Sequence, residues 1–249
     1  MADFSSCYPL ITEIRKRDNF AVVFRNALED VAGKVDFSHV KSCVAFGTGS
    51  GQHEIEFARR LLPNLRSFVA MEPDPESVKA LRASFQDGQL PGVETSVVET
   101  SLESWSGVQN HVDAVLLFNV LAHVDSADRR ALFQQLMTQQ LSDGGKVVII
   151  DNVTSVPSGY ILLLKRLGTL RVDYDELEEE MLAAGFRAVF KHDFEVRRDL
   201  SNPSDELVQY FQMVTEHKFS DAEVRTAIDE IFSQPNTHVS PNRLAIFTK

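Results

Sequence analysis

Cys43-Val44-Ala45-Phe46-Gly47-Thr48-Gly49-Ser50-Gly51-Gln52, continued downstream by Phe68-Val69-Ala70-Met71-Glu72-Pro73, decides the fold of this chain. The pair of segments reads as a buried strand, a turn with glycine at alternate positions, a helix, and a second strand closing on a carboxylate. Glycines without Cβ let backbone amides approach a ligand, and a carboxylate at the next strand end is placed to accept both hydroxyls of a ribose. The spacing excludes two relatives of this layout. A dinucleotide fingerprint, G-x-G-x-x-G, requires glycine where Gln52 stands, and no Gly-Lys-Ser/Thr tripeptide follows to make a phosphate-binding P-loop.

Outward from this stretch the pattern alternates strand and helix. Strands are predicted at 40–46, 65–71, 93–99, 111–118 and 145–150, the last after the Asp143-Gly-Gly turn. Helices are predicted at 51–61, 74–84 and 127–140, and Asp74 followed by Pro75 is a favourable helix start. Near-continuous apolar runs such as His111-Val-Asp-Ala-Val-Leu-Leu-Phe118 suit strands covered on both faces, hence a parallel sheet. Further on, 174–184 reads as an acidic helix stopped by Gly185, 186–194 as a strand, 205–218 and 221–232 as helices, and 244–248 as a closing strand. The first 40 residues are mostly helical by pattern.

A G-x-G-x-G turn with an acidic second strand end resembles the S-adenosylmethionine-dependent methyltransferases of the Rossmann-like class. The resemblance implies an α/β fold: a Rossmann-like, seven-stranded, mostly parallel sheet with helices on both faces, its last strand inserted antiparallel. One domain, 1–249, is expected. Residues 1–40 would form an N-terminal helical cap, 41–155 the cofactor-binding core, 156–172 and 201–240 lid insertions, and 173–200 with 241–249 the end of the sheet.

A chain of 249 residues with a formal charge of −11 fits this size and argues against nucleic acid or an anionic membrane surface as partner. Its two cysteines, Cys7 and Cys43, make neither a metal cluster nor a disulfide framework, so no metal is expected. No apolar leader and no run long enough to span a bilayer is evident, which predicts a cytoplasmic chain; a monomer is expected.

Ligands of open α/β sheets bind beyond the carboxyl ends of the strands. Gly47, Gly49 and Gly51 would pass under the cofactor, S-adenosyl-L-methionine, with S-adenosyl-L-homocysteine as product, and Glu72 would grip its ribose. Thr100 and Ser101 follow the third strand, where adenine contact and helix capping both stand open. Phe118 and Asn119 end the fourth, beside the methyl group. Gln52 is a candidate for the cofactor carboxylate, or a helix-end residue exposed to solvent. His53 reads as a surface histidine. His123 is a candidate facing the methyl acceptor, or a loop residue.

Gly47 to Gly51, Met71-Glu72-Pro73, Glu99-Thr100-Ser101, the segment from Ser158-Gly159-Tyr160 to Lys165-Arg166-Leu167-Gly168, and Asn242-Arg-Leu-Ala-Ile-Phe together resemble the histamine N-methyltransferase family over most of the chain. That resemblance implies methyl transfer to a ring nitrogen of a small imidazole amine or a similar biogenic amine. It carries a substrate-orienting asparagine onto Asn242 and the polar residue after the fourth strand onto Asn119. A substrate-binding carboxylate falls on Asp18 or, failing that, Glu13. Lid aromatics fall on Tyr160 and Leu164, and an aromatic pair on Ala122 and His123. This chain departs from the aromatic pattern at Leu164, Ala122 and His123. Rival expectations are a small-molecule O-methyltransferase and a catalytically silent cofactor-binding domain.

Overall fold

The computed structural model describes residues 8–102, 104, 111–121, 124–169, 174–215, 217–234 and 237–249. The first half runs α1 (Tyr8–Lys16), α2 (Phe20–Ala32), β1 (Ser42–Phe46), α3 (Gln52–Leu61), β2 (Ser67–Met71), α4 (Pro75–Gln86), β3 (Glu94–Val98) and β4 (Val112–Phe118). The second half runs α5 (Ser126–Gln135), β5 (Leu141–Asn152), α6 (Gly159–Arg166), α7 (Tyr174–Ala183), β6 (Arg187–Arg197), α8 (Asp205–Val214), α9 (Asp221–Phe232) and β7 (Val239–Thr248).

Seven strands form one sheet in the order β3-β2-β1-β4-β5-β7-β6. Pairings from β3 through β5 are parallel, and β7 runs antiparallel between β5 and β6. The expected fold is therefore present. The strand order reverses between β1 and β4, so the crevice beyond their carboxyl ends lies at the topological switch. Alternate residues feed the two layers. Ala45, Leu116, Phe118, Val148 and Ile246 pack with α2, α3 and α4 on one face. Val44, Val115, Leu117, Ile149 and Phe247 pack with α5 and α7 on the other. A third apolar cluster joins Ile14 of α1 to Leu163 of α6, Phe211 of α8 and Ile228 of α9, a cap built from the N-terminal and inserted segments. Among the described residues of the N-terminal segment, α1 packs into that cluster, whereas α2 belongs to the layer under the sheet.

The Asp74 carboxylate accepts the Ser77 N–H at 2.7 Å with Pro75 at the first helical position, the predicted start of α4. Other boundaries differ from the sequence pattern for physical reasons. The helix expected at 127–140 is α5 followed by a π-helical turn, Leu136–Gln140, that buries Leu136 and Gln140. The Asp143-Gly-Gly turn is an irregularity inside a longer β5, whose register against β4 jumps between Val112 and Ala114. The last strand begins at Val239, five residues before the predicted start. Pro241 hides this in the sequence because it gives no N–H to a ladder, yet it faces Glu195 at the strand's beginning, where its carbonyl accepts the Val153 N–H. α8 ends at Val214, short of the expected 218. Among the described residues no helix is long and apolar enough to cross a membrane.

Candidate cofactor and acceptor site

The turn after β1 is built on three glycines in the left-handed region, Gly47 (φ 58°), Gly49 (φ 54°) and Gly51 (φ 75°). Side chains are barred at two of them by packing as well as conformation. A Cβ on Gly47 would come within 2.6 Å of Val120, and one on Gly51 within 2.3 Å of Leu81. Around Gly49 the nearest atom to such a Cβ is Arg15 Nη2 at 3.8 Å, so the middle of the turn is the open one. Gly51 then caps α3 and directs its first amides at the turn.

Glu72 closes β2 and is tied to the turn. Its Oε2 accepts the Gly49 N–H at 2.7 Å and its Oε1 accepts the Asp74 N–H at 3.0 Å. Each carboxylate oxygen has two lone pairs, so each can still accept a ribose hydroxyl. Burial pushes the Glu72 carboxyl up, while the two backbone amides and Arg15 pull it down. The glycine cradle, the buried but unsaturated Glu72 and the unpartnered buried Thr48 hydroxyl fit an adenosyl cofactor.

Two residues of this site were not legible as such in the sequence. Arg15, on α1, reaches over the glycine turn and acts electrostatically on His53, Glu54 and Glu72. Its position suits the cofactor carboxylate; only the packing of α1 reveals it. Glu54, in the first turn of α3, is 4% exposed, and burial with the nearby Glu72 raises its carboxyl to about 8. Glu54 thus keeps its proton near neutral pH beside the candidate ribose anchor.

His53 is not at the surface. It packs against Phe20 and Phe24, with ring centroids 4.8 and 5.4 Å away, and burial lowers its pKa to about 3. Phe118 also differs from expectation: its ring stacks edge-on against Phe24 and Phe57 in the core, so its contact with cofactor or substrate cannot be through an open ring face. Asn119, next to it, is exposed and carries a positive φ of 55°, a conformation asparagine tolerates better than most residues. Its N–H donates to Ile150 O at 2.7 Å, which fixes the turn at the end of β4. Gln52 is exposed at the start of α3. Thr100 is half-buried after β3, and the Ser101 hydroxyl accepts the Ser104 N–H, the turn-capping alternative. His123 and Ala122 lie outside the described residues.

The acceptor half gathers at the carboxyl ends of β5 and β6 and the start of β7. Asn242 pairs in register with Asn152 on one side and Phe194 on the other and is 1% exposed. Its amide donates to Ser240 O at 3.0 Å, and its Oδ1 has no partner. Ser240 in turn meets Ser158, the N-cap of α6, at 3.2 Å. Phe194 reaches Phe20 at 6.0 Å and so links this region to His53 and α3.

Both candidate carboxylates are already engaged. Asp18 Oδ1 accepts the Phe20 N–H at 3.0 Å, and its Oδ2 pairs with Arg198 at 3.2 Å. Glu13 pairs with Lys16 and Arg17, each at 3.3 Å, and accepts Ser204 Oγ, which docks α1 on α8. These partners lower the Glu13 pKa, Lys16 first. Both carboxylates are thus held by cations of the chain itself, which a substrate ammonium would have to share. Tyr160 is half-buried on α6 with its ring under the Arg198 guanidinium at 4.1 Å.

Residues 44–145 match a family described as "Methyltransferase domain". No curated protein sequence matches the chain. Among solved structures it is similar to a putative methyltransferase from Bacillus halodurans, with TM-score 0.62 and 13% identity over 90% of this chain and 97% of that one. The cyclase SpnF gives TM-score 0.61 and 17% identity over 99% and 94% of the two chains. The mycolic acid cyclopropane synthase CmaA1, in complex with SAH, gives TM-score 0.58 and 11% identity over 90% and 84%. At these identities the likenesses establish the fold.

Proposed function

We propose that this chain, an S-adenosylmethionine-dependent methyltransferase by the domain at residues 44–145, methylates a nitrogen of a small imidazole or other biogenic amine. The observation that carries the reading is Asn242. It is a neutral, buried acceptor with Oδ1 unpartnered, on the strand that forms the wall of the capped half. An acceptor of that kind takes an N–H of the substrate and so turns the nitrogen lone pair away from itself.

The bound cofactor supplies an activated methyl group on a sulfonium. The protein's share is alignment and exclusion of water. Glu72 and the glycine turn fix the nucleoside, and Arg15 is in reach of the cofactor's carboxylate. Asn119, held by its bond to Ile150, lines the acceptor side at the end of β4. Asn242 orients the ring or amine from the other wall. A neutral imidazole nitrogen attacks in line with its own lone pair and needs no strong base, its ring proton leaving afterwards to a neutral side chain or water, whereas an aliphatic amine gives up its ammonium proton to water before it attacks. Asp18 in this reading balances Arg198 rather than a substrate ammonium.

The test is transfer from labelled cofactor to a panel of imidazole amines, other biogenic amines and hydroxylated aromatics, with mapping of the methylated atom. N-methylated product is expected, and Asn242→Ala is expected to lower kcat/KM about 10- to 100-fold, the scale of one lost hydrogen bond to a developing charge. Product on oxygen alone, or none despite bound cofactor, overturns the reading.

A further inference from the structure

We propose that Arg198 forms an anion subsite in the cap and that the methyl acceptor is an amine carrying a carboxylate. The proposal rests on the amine-methylation reading for its substrate, but the subsite itself stands on geometry.

Arg198 follows β6 and is 8% exposed. Three contacts fix it. Tyr160 lies against the guanidinium face at 4.1 Å. Asp18 Oδ2 takes both Nε (3.4 Å) and Nη2 (3.2 Å). The Arg198 backbone N–H donates to His238 O at 2.7 Å. Asp18 thus uses one oxygen on the side edge of the fork, and its other oxygen is spent on the Phe20 N–H. Neither Asp18 oxygen bonds the far end of the fork. Nη1 is buried and has no hydrogen-bond partner.

Buried donors without partners are rare, and an arginine fork pinned by an aromatic face and a carboxylate is pre-organised for a second planar anion. The end-on Nη1–Nη2 edge matches a carboxylate in the bidentate manner. The location agrees. Phe194, Val196 and Arg198 alternate onto one face of β6, and Asn242 pairs with Phe194, so arginine and asparagine share a face of the sheet at its carboxyl end. Roughly 13 Å of strand separates their Cα levels along β6, from four residues at about 3.3 Å each. The buried side-chain atoms left unpartnered there include Nη1 of Arg198, Nδ1 of His238, Oδ1 of Asn242 and the Thr154 hydroxyl. That set is complementary to a molecule with a carboxylate at one end and an N–H-bearing nitrogen further along. A zwitterion also brings its own positive charge, so its entry does not upset the neutral Asp18–Arg198 pair.

The experiment uses matched probes that differ only in the carboxylate: histidine against histamine, and tyrosine against tyramine. Binding is measured calorimetrically with the full chain saturated with S-adenosylhomocysteine, and turnover with labelled cofactor. At least one carboxylated member is expected to bind about 10-fold tighter than its partner. Arg198→Lys, which keeps charge but loses the fork, is expected to erase that preference while leaving the decarboxylated member within about twofold. Asp18→Asn keeps an acceptor for the Phe20 N–H and unmasks the arginine, so it should tighten the carboxylated probe a few-fold. The proposal is overturned if no carboxylated probe binds, if decarboxylated probes bind equally or better, or if Arg198→Lys weakens both members alike. It is also overturned if Asp18→Asn leaves carboxylate affinity unchanged or lower. Carboxylate-selective binding without N-methyl product would retain the subsite and refute the amine-methylation reading; N-methyl product with no carboxylate preference would do the reverse.

Discussion

Replacing Glu54 by glutamine should stabilise the protein at neutral pH and leave it unchanged in mild acid. Glu54 is buried in the first turn of α3, its carboxyl raised from 4.5 to about 8 by burial and by Glu72. In the unfolded chain the group ionises near 4.5, whereas in the fold it keeps its proton to about 8. Its contribution is therefore fully present below 4.5 and lost progressively as pH rises to about 8, at about 1.4 kcal/mol per unit. At pH 7 the loss amounts to about 3 kcal/mol, which a glutamine does not incur. For a chain of this size that is roughly 6–12 °C in melting temperature. His53, one residue earlier, has the opposite slope. Burial depresses it from 6.5 to about 3, so its contribution is complete above 6.5 and falls away toward pH 3. The two slopes oppose each other between 4.5 and 6.5, and Glu54→Gln should expose the histidine's alone. The assay is thermal and urea denaturation from pH 4 to 8. A difference between variant and parent that is the same at pH 5 and pH 7.5, or a variant less stable at pH 7, refutes the argument.

Glu72→Ala removes the brace on Gly49 and Asp74 and the proposed acceptor for the ribose hydroxyls, and should raise the cofactor Kd about 100-fold or more by calorimetry, as expected from two charge-assisted hydrogen bonds; unchanged affinity would remove Glu72 from the site. Arg129→Met should cost about 3 kcal/mol in urea unfolding. Arg129 is fully buried and bonds Glu180 at 2.8 and 3.0 Å, leaving Glu180 with only the more distant Arg130 once it is gone; a change below about 1 kcal/mol would mean the pair is replaceable by packing.

The portions of this protein readable in its sequence are those whose causes are local. Alternate glycines need the left-handed region at three positions, and that demand shows in the residue types themselves. Strongly apolar runs announce strands covered on both faces, and Asp74-Pro75 announces α4 because capping involves only neighbours. Glu72 was legible for the same reason, standing at the end of such a run. Side-chain direction was not. His53 looks like a surface residue at the start of an amphipathic helix until α2 and its Phe20 and Phe24 close over it. Phe118 ends the right strand, but strand alternation turns its ring into the core.

The acceptor side divides the same way. Asn242 could be placed from the sequence, because a resemblance in the closing strand carries it. The state of Asp18 could not, because its partner, Arg198, is 180 residues away and meets it only when the end of β6 crosses the junction of α1 and α2. The sequence by itself determined that a nucleoside cofactor sits over a parallel sheet, since backbone conformation and strand burial are written in residue type and spacing. Only the tertiary structure decided which charged groups are spent on one another and which remain open, since pairing between buried charges depends on distances that long-range packing alone creates.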